Sequence, residues 1–379
     1  MKPSTPGQSD FTDYVKGLIT KASTGIIAEA ALTKIIADPA QDNALFYYED
    51  SDSNGSADGN GLNLENLHIS MGSSSKFEYT STLNGGGLLG ANHTTTNGDP
   101  TVASIGNVSG SIFSGITVKV NSTKSLYGGG LLGAYAASLS VGFNSGPAEA
   151  SLGNVSGSIF SDITVEVGNY LYGGGLLGVY ARSNASGNSG SATSTIGNVS
   201  GSIFSGITVG VSKALYGGWL LGADTYSGNT ATAHLGNVSD SIFSGITVGV
   251  SNTLNGGGLL GADAFSGNTA TARLGNVSDS IFSGITVGVS KALNGGGLLG
   301  AYALSSSMDN SGPATAILGN ISGSIFSGIT VEAGGVWGLN GGGLLGAYAY
   351  SVVAWTTPTP PRPAWARSAT ASSAASPLR

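Results

Sequence analysis

Two short motifs alternate along most of this chain, and no other feature narrows the accessible folds as much. The first reads Leu-[Asn/Tyr]-Gly-Gly-Gly-Leu-Leu-Gly-Ala. It begins at Leu83, Leu126, Leu171, Leu215, Leu254, Leu293 and Leu339, with departures such as Val179 and Trp219. The second reads Gly-Asn-Val-Ser-x-Ser-Ile-Phe-Ser-x-Ile-Thr-Val. It begins at Gly106, Gly153, Gly197, Gly236, Gly275 and Gly319, the last copy with Ile321 in place of Val. A chain that repeats itself about every 40 residues is built of stacked units rather than around one centred core. The stretch from the second motif to the next first motif hardly changes in length. The return stretch does change, and insertions such as Arg182 to Ser191 gather there. Length variation confined to one place is what loops on one face of a stack produce.

Within a repeat the pattern is that of strands. In Ile246-Thr247-Val248-Gly249-Val250 apolar residues alternate with small or polar ones, which puts Ile246, Val248 and Val250 on one face. Asn255-Gly256-Gly257-Gly258 marks a turn able to take positive φ. Only 9% of residues are charged, while Gly fills 64 of 379 positions, a composition suited to stacked strands with tight turns. These features predict an all-β, parallel β-helix or solenoid of about seven ~40-residue repeats. Each repeat is expected to divide into two coils of about 20 residues. Phe243, Phe282 and Phe326 should stack inside as a ladder. Asn237, Asn276 and Asn320 should stack at a turn and share side-chain hydrogen bonds along the axis. A seven-bladed propeller is the rival architecture, but the Gly-rich motif does not resemble a blade signature.

Ahead of the repeats, Phe11, Tyr14, Val15, Leu18 and Ile19 fall at helical spacing with Ser9 or Asp10 as N-cap. A short helical cap over 1–45 would cover the open first coil. Residues 46–82 read as an acidic linker and lead-in, 83–351 as the solenoid, and 352–379 as a disordered tail.

The alternating motifs resemble the passenger repeats of bacterial type V autotransporters, over roughly Leu83 to Tyr350. The resemblance implies a right-handed parallel β-helix, exported through an outer-membrane barrel and displayed outside the cell. The implied role is that of a non-enzymatic, adhesin-like scaffold with host-surface or glycan ligands. The implied location of the full-length protein is extracellular or on the outer membrane. This chain shows neither a signal peptide, since Lys16, Lys21, Glu29 and Lys34 interrupt the early apolar stretches, nor a barrel. Either it is cytoplasmic or its true start lies elsewhere. No apolar run is long enough for a membrane span. The net charge of −7 argues against nucleic acid as a partner, and the absence of Cys excludes disulfides and thiolate chemistry.

Chemistry-bearing patterns are few. The Gly runs at Gly87, Gly130 and Gly297 lack the Lys-Ser/Thr pair of a phosphate loop. Asn107, Asn154, Asn198, Asn237, Asn276 and Asn320 open Asn-x-Ser triplets, which their fixed place in the repeat explains as turn geometry. His68, His93 and His234 share no repeat position. Asp224 and Asp263 share one position, and Asp240 and Asp279 share another. Such carboxylates could line adjacent coils as the acid/base pair of a carbohydrate-active β-helix enzyme. That is the alternative function, and solvated surface Asp is the reading that the sequence favours. Thr208, Thr247 and Thr286 form a single outward file, too narrow for an ice-binding array. Outside the repeats, Asp50, Asp52, Asn54 and Asp58 take positions 1, 3, 5 and 9 of a calcium-type loop with Gly55 at 6. Gly61 occupies position 12, where a bidentate Glu is expected, so the stretch also reads as a flexible acidic linker.

The tail carries a sharper expectation. Pro, Ala, Thr and TC-type Ser codons have fixed first two bases, so reading one base earlier restricts each hidden residue to a few choices. Over Ser368 to Pro377 those choices include, at every position, the run Val238 to Thr247 of the second motif. Ala364-Trp365-Ala366 likewise permits Arg273-Leu274-Gly275, and only Arg367 fails to hide the counterpart of Asn276. The tail is therefore expected to be a frame-shifted copy of another repeat. Sequencing the gene should read the repeat in the shifted frame across codons 364–379; unrelated residues or a stop there would end the idea.

Overall fold

In the computed structural model the described residues are 46–48, 62–65, 68–70, 76–79, 82–121, 123–142, 144–185, 189–307, 312–334 and 338–353. Among them there is no helix, and the strands pair in parallel into stacked sheets. The expected helical cap and the loop of Asp50, Asp52, Asn54 and Asp58 lie outside the described residues.

One coil shows the plan. Its strands are Leu215–Gly218, Leu221–Ser227, Thr230–Leu235 continued by Val238–Ser239, Ile242–Ser244 and Thr247–Val250. Each pairs with the same motif position of the next repeat. Leu215 lies opposite Leu254, Ala223 opposite Ala262, Phe243 opposite Phe282 and Val248 opposite Val287. Strands at a given position thus build one sheet along the axis. We call these, in chain order, the Gly-rich, central, facing, Phe and Thr sheets. The solenoid is as the repeats imply, and no blades surround a channel. The division into two coils of about 20 residues is corrected: one repeat makes one coil, because its strands line five faces before the chain returns to its starting point. Short strands at Phe46–Tyr48, Leu62–Glu65, His68–Ser70 and Lys76–Tyr79 pair with the first full coil, so stacking extends upstream of Leu83. At the other end the central sheet's last strand runs to Val353.

Repetition in sequence becomes ladders in space. Phe113, Phe160, Phe204, Phe243, Phe282 and Phe326 stack face to face, with centroids 4.8 to 5.1 Å apart. That spacing matches the rise between neighbouring strands of about 4.8 Å. In the turn before them, Asn Oδ1 of one coil accepts the backbone N–H of the next coil's Asn at 2.8 Å, from Asn107 through Asn320. The side chain so satisfies a donor that the turn leaves outside the strand ladder. A buried Ser file does similar work: Ser202 N–H donates to Ser241 Oγ, and Ser241 N–H to Ser280 Oγ, both at 3.2 Å. Between the central and facing sheets the interior side chains are small. Ala223 and Ala262 on one sheet and Ala231, Ala233, Ala270 and Ala272 on the other are all buried in the same core. Thr225 Oγ1 donates straight across to the Thr232 carbonyl at 2.9 Å.

Candidate functional site

The outer side of the central sheet is not a free surface, and the Gly-rich motif is the reason. Gly218 ends one strand and Gly222 lies in the next. A Cβ on Gly218 would sit 1.9 Å from the Leu221 carbonyl oxygen, and one on Gly222 would sit 2.3 Å from Gly218 N. The two backbones are therefore in contact at this corner, and only Gly fits. The corner is re-entrant: the Gly-rich sheet folds back over the outer face of the central sheet. A wedge-shaped groove opens between them and runs along the axis.

Three files of side chains line this groove. The Gly-rich sheet supplies Tyr127, Tyr172, Tyr216, Asn255, Asn294 and Asn340. The central sheet supplies Tyr135, Tyr180, Asp224, Asp263, Tyr302 and Tyr348. Two residues further along each central strand stand Arg182, Tyr226, Phe265 and Leu304. In the early coils aromatic rings fill the wedge. Tyr127 stacks on Tyr135 at 5.2 Å and on Tyr172 at 4.9 Å, and Tyr135 stacks on Tyr180 at 5.5 Å. In the next coils carboxylates and amides replace rings, and the space they vacate is a cavity of about 380 Å³. Its lining includes Tyr172, Tyr180, Tyr216, Asp224, Asp263 and Tyr302.

Asp224 and Asp263 are only 4% and 2% exposed. They are direct neighbours on paired strands, which sets their Cα atoms about 4.8 Å apart. Asp224 Oδ2 and Asp263 Oδ1 are buried without a hydrogen-bond partner. Burial pushes the Asp224 carboxyl well up from the usual carboxylate range, the Asp263 charge adds to this, and a backbone hydrogen bond from Thr225 opposes it. Burial likewise raises Asp263, to about 8, against a side-chain hydrogen bond from Asn255. That bond ends a relay: Asn340 donates to Asn294 and Asn294 to Asn255, each at 2.8 Å. Burial raises the phenols of Tyr127, Tyr135, Tyr172, Tyr180 and Tyr302. Burial and the two carboxylates raise Tyr216 to about 12. At the rim the Arg182 guanidinium lies 5.4 Å from the centre of the Tyr226 ring.

The reading of Asp224 and Asp263 as solvated surface residues is thus corrected, while Asp240 and Asp279 are exposed at turn positions of positive φ. His93 and His234 lie on different sheets and do not converge. Among the described residues no group of three or more His, Cys, Asp or Glu is placed to hold a metal ion, and no helix is long and apolar enough to cross a membrane.

The raised carboxyls set a pH dependence. Folded Asp224 and Asp263 keep protons that the unfolded chain gives up near pH 4. Stability is therefore greatest below that value and falls as pH rises towards about 8, where folded Asp263 ionises. The melting temperature should be higher at pH 5 than at pH 8. The Asp224→Asn/Asp263→Asn double variant should lose most of that difference; an unchanged slope would place its origin elsewhere.

No protein-family model, curated protein or solved structure matches the chain.

Proposed function

We propose that the chain is a non-enzymatic, surface-displayed or secreted scaffold of the adhesin kind, comparable to an autotransporter passenger. Its ligands would be glycans or other components of a host surface. One observation carries the reading: the coils keep register while length varies mainly at one corner. Between the central and facing sheets the connection is 228–229 in one coil and 267–268 in the next, against 141–147, 186–191 and 308–313 elsewhere. A rigid stack with variable loops along one edge is a device for presenting contacts. The outward Thr file of Thr208, Thr247 and Thr286 adds an uncharged polar face. The test is binding of the purified full chain to immobilised glycans and to intact host-type cells. Saturable binding without release of sugar is expected.

A second reading, a carbohydrate-active β-helix enzyme, is favoured by the placement of Asp224 and Asp263 on neighbouring coils in one groove. Retaining glycosidases hold their carboxyl groups about 5–5.5 Å apart. Two features weigh against it here. A general base must be ionised at the working pH, whereas burial raises both of these carboxyls. The cavity is also of small-molecule size, about 380 Å³. Release of reducing ends from a polysaccharide, lost in Asp224→Asn, would establish the enzyme and displace the scaffold.

A further inference from the structure

We propose that the cavity between the Gly-rich and central sheets is a binding site for a primary organic ammonium ion, held by Asp224 and Asp263 while its carbon body packs on the surrounding rings.

The argument begins with what the cavity lacks. The same wedge is filled by tyrosine rings packed on one another one coil earlier, so an aromatic filling was available at these positions. Asp224 and Asp263 instead stand where Tyr135, Tyr180, Tyr302 and Tyr348 stand in other coils. Each keeps an oxygen that no protein group satisfies, and both side chains line the cavity. An unsatisfied buried acceptor costs about 1–3 kcal/mol, more when charged, so two neighbouring carboxyls are a costly lining for this cavity unless a cation comes beside them. None of the lining residues is basic. Arg182, which is not part of the lining, lies over the Tyr226 ring, and its Nε is buried without a hydrogen-bond partner.

The rest of the lining fits a cation rather than a neutral donor. Tyr172, Tyr180, Tyr216, Tyr226, Phe265 and Tyr302 surround the carboxyls, and aromatic faces attract positive charge. An ammonium group with three N–H donors can bridge the two neighbouring carboxyl groups that line the cavity. The Asn340–Asn294–Asn255 relay is already committed, its last amide donating to Asp263, so Asp263 is held in one orientation. A cavity of about 380 Å³ takes an ammonium carried on a ring or a short chain.

Binding displaces protons. The ammonium favours the ionised carboxylates, so protons held by the empty pair are released as it enters, and affinity rises with pH from 5 to 8. Among the other groups facing the pair, burial raises the phenols of Tyr172, Tyr180, Tyr216 and Tyr302, which stay protonated over that range; Tyr226 and Arg182 stand beside them.

The test uses the full chain and calorimetry with 2-phenylethylamine, against 2-phenylethanol as its neutral match and calcium chloride as a metal probe. Expected are binding of the amine at least tenfold tighter than the alcohol, release of protons seen as a buffer-dependent heat, and at least tenfold loss in Asp224→Asn/Asp263→Asn. Three results would overturn the proposal: no binding of the amine, equal binding of amine and alcohol, or calcium binding that the double variant abolishes while the amine has no effect. If the double variant melts early, the comparison of amine with alcohol and the proton count on the unaltered chain decide the matter. Glycan binding by the loops is read separately, so either proposal can fail without the other.

Discussion

Gly257→Ala is expected to destabilise its coil by about 4 kcal/mol or more, at the upper end of what one substitution does. The added carbon would lie 1.8 Å from the Leu260 carbonyl oxygen and 2.6 Å from Gly300 N. Both are backbone atoms, and no rotamer change relieves the clash. The Gly-rich strand must lift away from the central sheet, which breaks the corner and opens the groove floor under Asp263. Gly249→Ala is the control. A Cβ there meets nothing within 4 Å, the position lies in a strand, and alanine should be neutral or stabilising by a few tenths of a kcal/mol. Hydrogen exchange of the coils on either side of Leu260 reads the difference. Equal protection in the two variants would mean that the corner tolerates a side chain.

Phe243→Ala carries the second large effect, about 3–5 kcal/mol. Phe243 is fully buried and stacks between Phe204 at 5.0 Å and Phe282 at 4.8 Å, so its removal leaves a gap that neighbours on fixed strands cannot close. In a stacked array each coil contacts mainly its neighbours, and the damage should stay local. Amides of Val238–Ser239 and Thr247–Val250 should lose protection while those near Phe113 keep theirs. The adjacent Ile242 points outward and is 37% exposed; Ile242→Ala should cost less than about 1 kcal/mol. Uniform loss of protection along the whole chain would contradict nearest-neighbour stacking.

The ladders were legible because their cause is periodicity itself. A Phe or an Asn that recurs at one motif position must meet its copies once the coils stack, whatever the coil's outline. The outline was not legible. The Gly runs read as turns, and Gly256 does take positive φ, at 99°. What alternation could not convey is that Gly257 and Gly261 are required by the touching of two backbones. Missing that contact had two consequences. The coil was expected to be half its true length, because the re-entrant corner that enlarges its perimeter was unseen. Asp224 and Asp263 were placed in solvent, because alternation sets them opposite Ala223 and Ala262, on the outside of the solenoid. Outside the coil is not outside the protein when a neighbouring sheet folds over it. The available signal was the column itself: two Asp in a file that also holds Asn92, Tyr135, Tyr180, Tyr302 and Tyr348.

That one repeat makes one coil also bears on how the chain responds to force. Its inter-coil hydrogen bonds point along the axis, so tension applied to the two ends loads them coil by coil instead of all together. An end coil can peel away while the rest remains intact, and each coil of about 40 residues pays out about 130–140 Å of extended chain. Because the repeats differ in length by only a few residues, successive releases are nearly equal. Under tension such a stack behaves as a reel with even steps, able to lengthen many-fold while its remaining coils stay folded.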